Sequence, residues 1–185
     1  NGIEFNFDKI NNTFLITQIV PESRAYFIDS NLKNMNIIFN GTKFEDDLKF
    51  FPIDFRGLTG CLVFYKSNFK NTNLKVQNSN CEDSLNLVST KGEIGNIEII
   101  NSFSDGLDID FSNLVIQNTF IENSKNDCVD VSGGTYTFNH CSFVNYWSNG
   151  FRSYPALQID NGLETENGVI AFDLTQANFN NCIIY

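Results

Sequence analysis

Short apolar segments recur along the chain at a regular spacing of about 22 residues. The segment 105–109 (DGLDI) has counterparts at this spacing in 61–65 (CLVFY), 83–87 (DSLNL), 127–131 (DCVDV) and 149–153 (NGFRS). Apolar positions in the second half of each unit keep the same register, as in Ile94, Ile116 and Phe138. Such a period, with alternating apolar residues separated by Asn, Ser and Gly, predicts a parallel β-solenoid with about 22 residues per coil.

The repeat also predicts which residues are neighbours in space. Side chains alternate between the two faces of a strand, so Leu107 and Ile109 are expected to point inward and Asp108 and Asp110 outward. Successive coils stack about 4.8 Å apart. Each residue should therefore lie beside its counterpart in the next repeat, which pairs Asp108 with Asp130.

Asparagine is unusually frequent in the sequence. Because Asn favours turns, the columns formed by Asn101, Asn123 and Asn145, and by Asn96, Asn118 and His140, are expected at the corners of the coils. His140, the only histidine, is interpreted as a structural member of its column rather than as a catalytic base.

The length and composition favour one domain, residues 1–185. The abrupt first and last residues suggest a piece of a longer chain. The register returns only at 179–182 (FNNC), which matches 138–141 (FNHC) after an interval of nearly two repeats. One coil should therefore carry a long inserted loop, residues 154–176, and such loops cluster on functional faces.

The charge narrows the choice of partners. A net charge of −10 argues against binding to nucleic acid or to an anionic membrane surface. No apolar stretch is long enough to span a bilayer, so membrane insertion is not expected. A cation or a neutral glycan fits this composition better.

The five cysteines show no zinc-site spacing. Cys141 and Cys182 share a column and could be two buried thiols or a disulfide. Phosphate-binding loops, dinucleotide fingerprints and nucleophile elbows are absent from the sequence, which excludes the corresponding enzyme classes.

An acidic strip is the main chemical signal. Asp108, Asp110 and Asp130 should form an outward ladder, and Asp105 and Asp127 should stack at the strand entrance. Stacked like charges destabilise a sheet. Four explanations could account for this repulsion. A calcium ion could be held by Asp108, Asp110 and Asp130, or Arg152 could form a salt bridge with the strip. Catalysis could require carboxyls with shifted pKa values, or the strip could simply be solvated.

Side chains beside this strip are candidates for sugar binding. A sugar ring needs an apolar surface and hydrogen-bond partners for its hydroxyls. Phe64, Asn86 and Arg152 share the outward column of Asp108, and Tyr154 shares the column of Asp110. All four are predicted to contact a glycan, although the aromatics could instead pack under the inserted loop.

The segments 58–65 (LTGCLVFY), 82–86 (EDSLN), 104–112 (SDGLDIDFS) and 126–133 (NDCVDVSG) give the sequence a family resemblance. It resembles secreted bacterial right-handed parallel β-helix proteins of the pectate-lyase-like superfamily. The resemblance implies a right-handed parallel β-helix in an extracellular or cell-surface setting.

The spacing is also similar to that of polygalacturonases. Asp105 matches the Asp of their Asn-Thr-Asp segment, and Asp127 matches one member of their Asp-Asp pair. Asn126 stands in place of the other Asp, and residues 148–150 (SNG) in place of their Gly-His-Gly segment. A lyase or epimerase of this fold would need a base near calcium, for which Arg152 and Tyr154 are candidates.

These observations predict an extracellular or surface β-helix that binds or scaffolds polysaccharide, with calcium as its candidate cofactor. One alternative is a hydrolase, lyase or epimerase that acts on acidic glycans, using Asp105 and Asp127 with Arg152 or Tyr154. The other alternative is a passive structural stalk. Neither the identity of the glycan nor the oligomeric state follows from the sequence.

Overall fold

The computed structural model describes residues 2–42, 54, 56–147, 150–151, 153–165 and 167–185. All helices and strands assigned in this part of the chain are strands, with no helix among them, so the predicted all-β class is confirmed. The first nine strands are β1 (Ile3–Asp8), β2 (Thr13–Gln18), β3 (Ala25–Ile28), β4 (Asn31–Lys33), β5 (Asn36–Asn40), β6 (Gly60–Tyr65), β7 (Asn68–Ser79), β8 (Asp83–Val88) and β9 (Lys91–Ser102). The other nine are β10 (Asp105–Gln117), β11 (Thr119–Ser124), β12 (Val129–Asn139), β13 (Ser142–Val144), β14 (Leu157–Asp160), β15 (Gly162–Thr165), β16 (Gly168–Ala171), β17 (Leu174–Asn180) and β18 (Ile183–Ile184).

Sixteen strands form one sheet, in which all neighbours are parallel except the antiparallel pair β1–β2. The central strands keep the predicted spacing: Asp108 lies opposite Asn86 on β8 and opposite Asp130 on β12. In the second half of the repeat, Ile121 lies between Ile99 and Phe143. The residue columns predicted for this central region are therefore confirmed.

The core consists of inward-facing rows that run across these strands. Its fully buried members include Leu85, Leu87, Ile94, Ile99, Leu107, Ile109, Ile116, Ile121, Val129, Val131, Phe138 and Phe143. Burying each of these side chains contributes about 1.5–3 kcal/mol. Outward residues between them, such as Asp108 and Asp130, stay partly exposed, so the alternation in sequence becomes an apolar interior and an acidic exterior.

The register between β6 and β8 corrects one prediction. The spacing here is one residue longer than in the central repeats, because Val63 lies opposite Asn86 and Phe64 opposite Leu87. One extra residue moves every side chain of β6 to the other face relative to the regular count. Phe64 is therefore 0% exposed and stacks on Phe27 in the core, with ring centroids 4.9 Å apart. The prediction that Phe64 is an exposed sugar-stacking residue is wrong.

The register beyond β12 corrects two more predictions. Gln158 lies opposite Asp130 across a longer interval than the regular repeat, and Asp160 follows in the next outward row. These two residues occupy the positions predicted for Arg152 and Tyr154, because extra residues lie between β13 and β14. Tyr154 precedes β14 and is 53% exposed, and Arg152 lies outside the described residues.

The predicted inserted loop, residues 154–176, contains regular structure. Its β14 belongs to the main sheet, and β17 begins at Leu174 and pairs with β12. Between them, β15 and β16 form an antiparallel hairpin with Gly162 opposite Ala171. The insertion is therefore divided between the segment before β14 and this hairpin.

Asparagine marks corners of the chain, as its frequency predicts. Among the described residues, several Asn adopt the left-handed conformation, including Asn101 and Asn123 with φ of 62° and 58°. The Asn123 amide donates to Asn101 Oδ1 at 2.6 Å, and the Asn101 amide donates to Asn78 Oδ1 at 2.9 Å. We call Asn78, Asn101 and Asn123 the amide ladder. Asn145 differs from the prediction, because its amide donates to the Asn126 carbonyl at 2.7 Å.

Only two of the three residues in the second predicted column, Asn96, Asn118 and His140, lie at corners of the chain. Asn118 and His140 adopt the left-handed conformation, but Asn96 does not. The Asn96 amide still reaches the next repeat, where it donates to the Asn118 carbonyl at 2.7 Å. His140 is exposed at its corner, and its backbone N–H donates to the Asn180 carbonyl at 2.9 Å.

A disulfide joins Cys61 in β6 to Cys81, just before β8, with their Cα atoms 5.3 Å apart. The sequence analysis did not identify this pair, because their separation matches neither a short motif nor a column of the repeat. Cys141 and Cys182 are both free thiols, the first buried and the second half-buried.

Candidate functional site

The acidic residues surround a cleft of about 450 Å³ on the outward face of β8, β10, β12 and β14. We call it the acidic cleft. The carboxyl groups that line it are Glu82, Asp83, Asp105, Asp108, Asp110, Asp130 and Asp160. Three of them, Asp108, Asp110 and Asp130, belong to the predicted ladder, so the structure brings this part of the prediction together.

One outward row contributes Asp108, Asp130 and Gln158 to the cleft, and Asn86 continues the row outside the cleft lining. It runs from Asn86 through Asp108 and Asp130 to Gln158, each on a different parallel strand. We call these four residues the carboxylate row. The Asn86 amide donates to Asp108 Oδ2 at 2.8 Å, and the Gln158 amide donates to Asp130 Oδ2 at 3.3 Å. Each carboxylate therefore has an amide neighbour on one side and the other carboxylate on the opposite side.

A second outward row lies beside the first. It contains Tyr65, Val88, Asp110, Ser132 and Asp160 in register across five strands. The Gln158 amide also donates to Asp160 Oδ2 at 2.8 Å, which connects the two rows. The aromatic member of this row is thus Tyr65 at one end, whereas the sequence analysis predicted Tyr154 at the other.

The strand entrance holds the predicted catalytic pair, but only one member lines the cleft. Asp105 Oδ1 accepts a hydrogen bond from the backbone N–H of Asp127 at 2.8 Å. Asp127 is 4% exposed and is not part of the cleft lining. On the other side of Asp105 in this row, Asp83 accepts a hydrogen bond from the Thr59 hydroxyl. Asp105 and Asp83 therefore both line the cleft, whereas Asp127 contacts Asp105 through its backbone without lining the cleft.

Burial and mutual repulsion shift the ionisation of these groups. Burial raises the pKa of Asp105 and of Asp130 to about 7, and the pKa of Asp110 to about 6. Neighbouring carboxylates contribute to the first two of these shifts, Asp127 to the raised pKa of Asp105 and Asp160 to that of Asp130. At neutral pH the cleft therefore holds a mixture of neutral and ionised carboxyls.

The deepest carboxyls are shifted most strongly. Burial raises the pKa of both Asp83 and Asp108 well above the usual range. The charge of Asp105 adds to the pKa shift of Asp83, and the charge of Asp83 adds to that of Asp108, whereas the Thr59 hydrogen bond opposes the shift at Asp83. Buried carboxyls with raised pKa values and charged neighbours are a common property of functional sites.

Among the described residues that line the cleft, the one cationic side chain belongs to Arg56. Its guanidinium binds Asp54 Oδ2 through Nε at 2.8 Å and Nη2 at 2.5 Å. It also lies 5.6 Å from the Tyr26 ring centroid and 5.7 Å from that of Tyr65. Arg56 is thus engaged at the rim with groups that are not part of the carboxylate row.

An aromatic pair borders the cleft at the opposite rim. The Phe111 and Phe172 rings meet edge to face, with centroids 5.1 Å apart and planes at 88°. Phe111 is 51% exposed and has a φ of 49°, a conformation that is costly for a bulky residue. Gly133 occupies the equivalent position in the next repeat, and a Cβ there would come within 3.0 Å of the Phe111 ring. The missing side chain at Gly133 therefore makes room for this ring.

The three residues predicted to bind calcium do not converge on one point as metal ligands. Asp108, Asp110 and Asp130 line one cleft, but no three His, Cys, Asp or Glu side chains among the described residues converge as metal ligands. Calcium binding remains a prediction.

No helix in the described part of the chain has the length and hydropathy to cross a membrane. Comparison with protein-family models, curated proteins and solved structures gives no match to this chain.

Proposed function

We propose that the chain forms a right-handed parallel β-helix with about 22 residues per coil. The parallel register of β8, β10 and β12 at this spacing supports the proposal. The recurrence of left-handed corners, as in Ser89, Phe111 and Gly133, also supports it, because each coil must bend at the same positions. In such a helix the outward rows form a continuous wall, on which a polymer could lie.

We further propose that this wall binds polysaccharide in the acidic cleft. The observation that carries the proposal is the combination of an aromatic pair, the exposed Phe111 and the half-buried Phe172, with a concave surface rich in hydrogen-bond acceptors. A sugar ring has apolar faces that pack on aromatic rings, and equatorial hydroxyls that donate to carboxylates. The cleft offers both within one cavity.

An extracellular or cell-surface setting fits this proposal. A buried disulfide joins Cys61 in β6 to Cys81, which lies between β7 and β8. Disulfides form and persist mainly in oxidising compartments. A secreted or surface-exposed protein would meet polysaccharide in the same environment.

A second candidate function is polysaccharide cleavage. Acid catalysis at neutral pH needs a carboxyl that stays protonated there, and the pKa values near 7 of Asp105 and Asp130 meet this requirement. In this alternative one of the two would protonate the glycosidic oxygen while an ionised neighbour assists on the other side of the sugar ring.

A glycan-panel experiment tests both functions. Purified protein is incubated with neutral, acidic and amino polysaccharides, with and without calcium, and retained binding and new chain ends are measured in the same samples. The test variant carries Asp108→Asn with Asp130→Asn, and the matched control is Glu93→Gln on an exposed position outside the cleft.

Binding that the double variant loses and the control keeps would support the proposed function. Release of chain ends that Asp105→Asn abolishes would favour the catalytic alternative. If no glycan binds or is cleaved, the proposal is wrong and the wall is a structural surface.

A further inference from the structure

The acidic cleft offers more hydrogen-bond acceptors than donors. Seven carboxyl groups line it, and the guanidinium of Arg56 is already bound to Asp54 and packed on two tyrosines. Ionised carboxylates can only accept hydrogen bonds. A ligand that brings donors, and above all positive charge, would supply what the cleft lacks.

A buried oxygen atom of a cleft-lining carboxyl points to such a ligand. Asp130 lines the cleft, and its Oδ1 is buried without a hydrogen-bond partner among the described residues. A buried acceptor without a donor costs about 1–3 kcal/mol, so this atom favours a donor group brought by a ligand. Asn86 Oδ1 in the same row also has no described partner, but Asn86 does not line the cleft.

The rim of the cleft suits a cationic ring as well as a neutral one. The Phe111 ring packs against Phe172, and the absence of a side chain at Gly133 leaves room for the ring. Aromatic faces attract cations as well as the apolar faces of sugar rings. An amino sugar presents both features in one residue.

We propose that the acidic cleft recognises polysaccharides that carry free amino groups, that is, polymers of hexosamine without N-acetyl groups. This inference rests on the proposed function, because it names the class of glycan that the cleft would take. The ammonium group supplies three donors and a positive charge to the carboxylate row, and the sugar ring packs on Phe111. The overall charge of −10 adds long-range attraction for such a polycation.

The raised pKa values of the row agree with this inference. Burial and neighbouring charges keep Asp108 and Asp130 partly protonated in the free protein. A cation bound beside them would favour their ionised forms and lower both pKa values. Binding should therefore release protons to the solvent.

The inference is tested by calorimetric titration with a glucosamine oligomer and with its N-acetylated counterpart of the same length, under conditions in which the amines are protonated. Because hydrogen bonds between charged groups are stronger than neutral ones, we expect the amino form to bind about tenfold or more tightly. The preference should disappear in the double variant with Asp108→Asn and Asp130→Asn, and persist in Glu93→Gln. Melting temperatures establish that each variant is folded.

Other outcomes separate this inference from the proposed function. Equal affinity for the two oligomers would overturn the inference and leave glycan binding standing. Binding of neither oligomer nor any other glycan would overturn both. An oligolysine peptide that binds as tightly as the amino glycan, with no loss on Phe172→Ala, would also overturn the inference, because the cleft would then attract any polycation.

Discussion

Two rows of polar side chains cross the sheet with nearly the same spacing, but they differ in how neighbouring side chains in the row interact. In the amide ladder, each Asn donates to the preceding one, at 2.6 Å from Asn123 to Asn101 and 2.9 Å from Asn101 to Asn78. In the carboxylate row, Asp108 and Asp130 are neighbours with no described side-chain donor between them, and amides reach them only from the two outer sides.

The difference lies in the chemistry of the two groups. An amide carries a donor and an acceptor, so identical amides can satisfy one another along a stack, whereas ionised carboxylates are acceptors only and repel. The ladder is broken where Asn145 bonds elsewhere, and there Asn123 Oδ1 is left without a described partner. The amide ladder therefore stabilises the fold through its own hydrogen bonds, whereas the carboxylate row leaves acceptors that the proposed ligand would pair.

Changing the pH should separate the two rows most strongly, because only the carboxylates titrate. Carboxyls such as Asp105 and Asp130, whose pKa rises from a usual value of 3.8 to about 7, bind more protons in the folded chain than in the unfolded chain across this window. The free energy of unfolding should therefore fall as the pH rises from about 4 to 7, and level off above it. Allowing for partial exposure, we expect a loss of roughly 2–4 kcal/mol.

Denaturant unfolding at a series of pH values measures this loss. The double variant with Asp108→Asn and Asp130→Asn should show a flatter profile. A wild-type stability that increases between pH 4 and 7 would contradict the electrostatic description of the cleft.

A carboxylate introduced into the amide ladder should have the next largest effect. Asn101→Asp removes the donor to Asn78 and sets two oxygen atoms against each other, while the left-handed conformation remains acceptable for Asp. We expect a loss of about 2 kcal/mol at neutral pH, measured by denaturant unfolding. The loss should shrink at acidic pH, where the new carboxyl can donate. An unchanged stability would show that the ladder bonds contribute little.

The reciprocal change, an amide introduced into the carboxylate row, should stabilise the protein. Asp130→Asn removes a buried charge and adds a donor beside Asp108, as Asn86 already provides on the other side. We expect a gain of about 1 kcal/mol, or roughly 2–4 °C in melting temperature. The proposed glycan binding should weaken at the same time, because the substitution removes a charged acceptor from the cleft. A destabilised variant would mean that the Asp130 carboxylate already has a stabilising partner.

The smallest effect on stability is expected at the aromatic rim. Phe111→Gly loses the contact with Phe172, worth about 0.5–1.5 kcal/mol, but relieves a left-handed conformation that costs about 1–2 kcal/mol. The net change in unfolding free energy should stay within about 1 kcal/mol. Glycan affinity, measured by calorimetry, should nevertheless fall. Unchanged affinity would remove Phe111 from the binding surface.

The sequence was sufficient to predict the central columns, since a strict repeat determines neighbours such as Asp108 and Asp130. It was insufficient where the spacing changes. A single extra residue before β8 reverses the facing of Phe64, and the extra residues before β14 bring Gln158 beside Asp130 in place of Arg152. Such insertions leave no mark in the composition, because strands on either side still alternate.

Other parts of the site depend on contacts between distant segments. Phe172 directly follows the β15–β16 hairpin, Arg56 comes from the segment before β6, and neither belongs to a repeat column. Phe111 could have been found, because it directly follows Asp110 and shares a repeat column with Gly133, a residue suited to a corner. The disulfide of Cys61 could not be assigned from the spacing alone.

The ionisation of Asp130 is the most informative single measurement, because the proposed recognition of a donor ligand requires a carboxylate row without an internal donor. Carboxyl-carbon NMR of aspartate-labelled protein, assigned with Asp130→Asn, should show Asp130 titrating with a midpoint of about 7. The exposed Asp8, whose pKa is lowered by hydrogen bonds from Asn11, should titrate below its usual value in the same spectra. A midpoint for Asp130 close to the usual value of 3.8 would show that its charge is already compensated, and would rule out an unpaired carboxylate row.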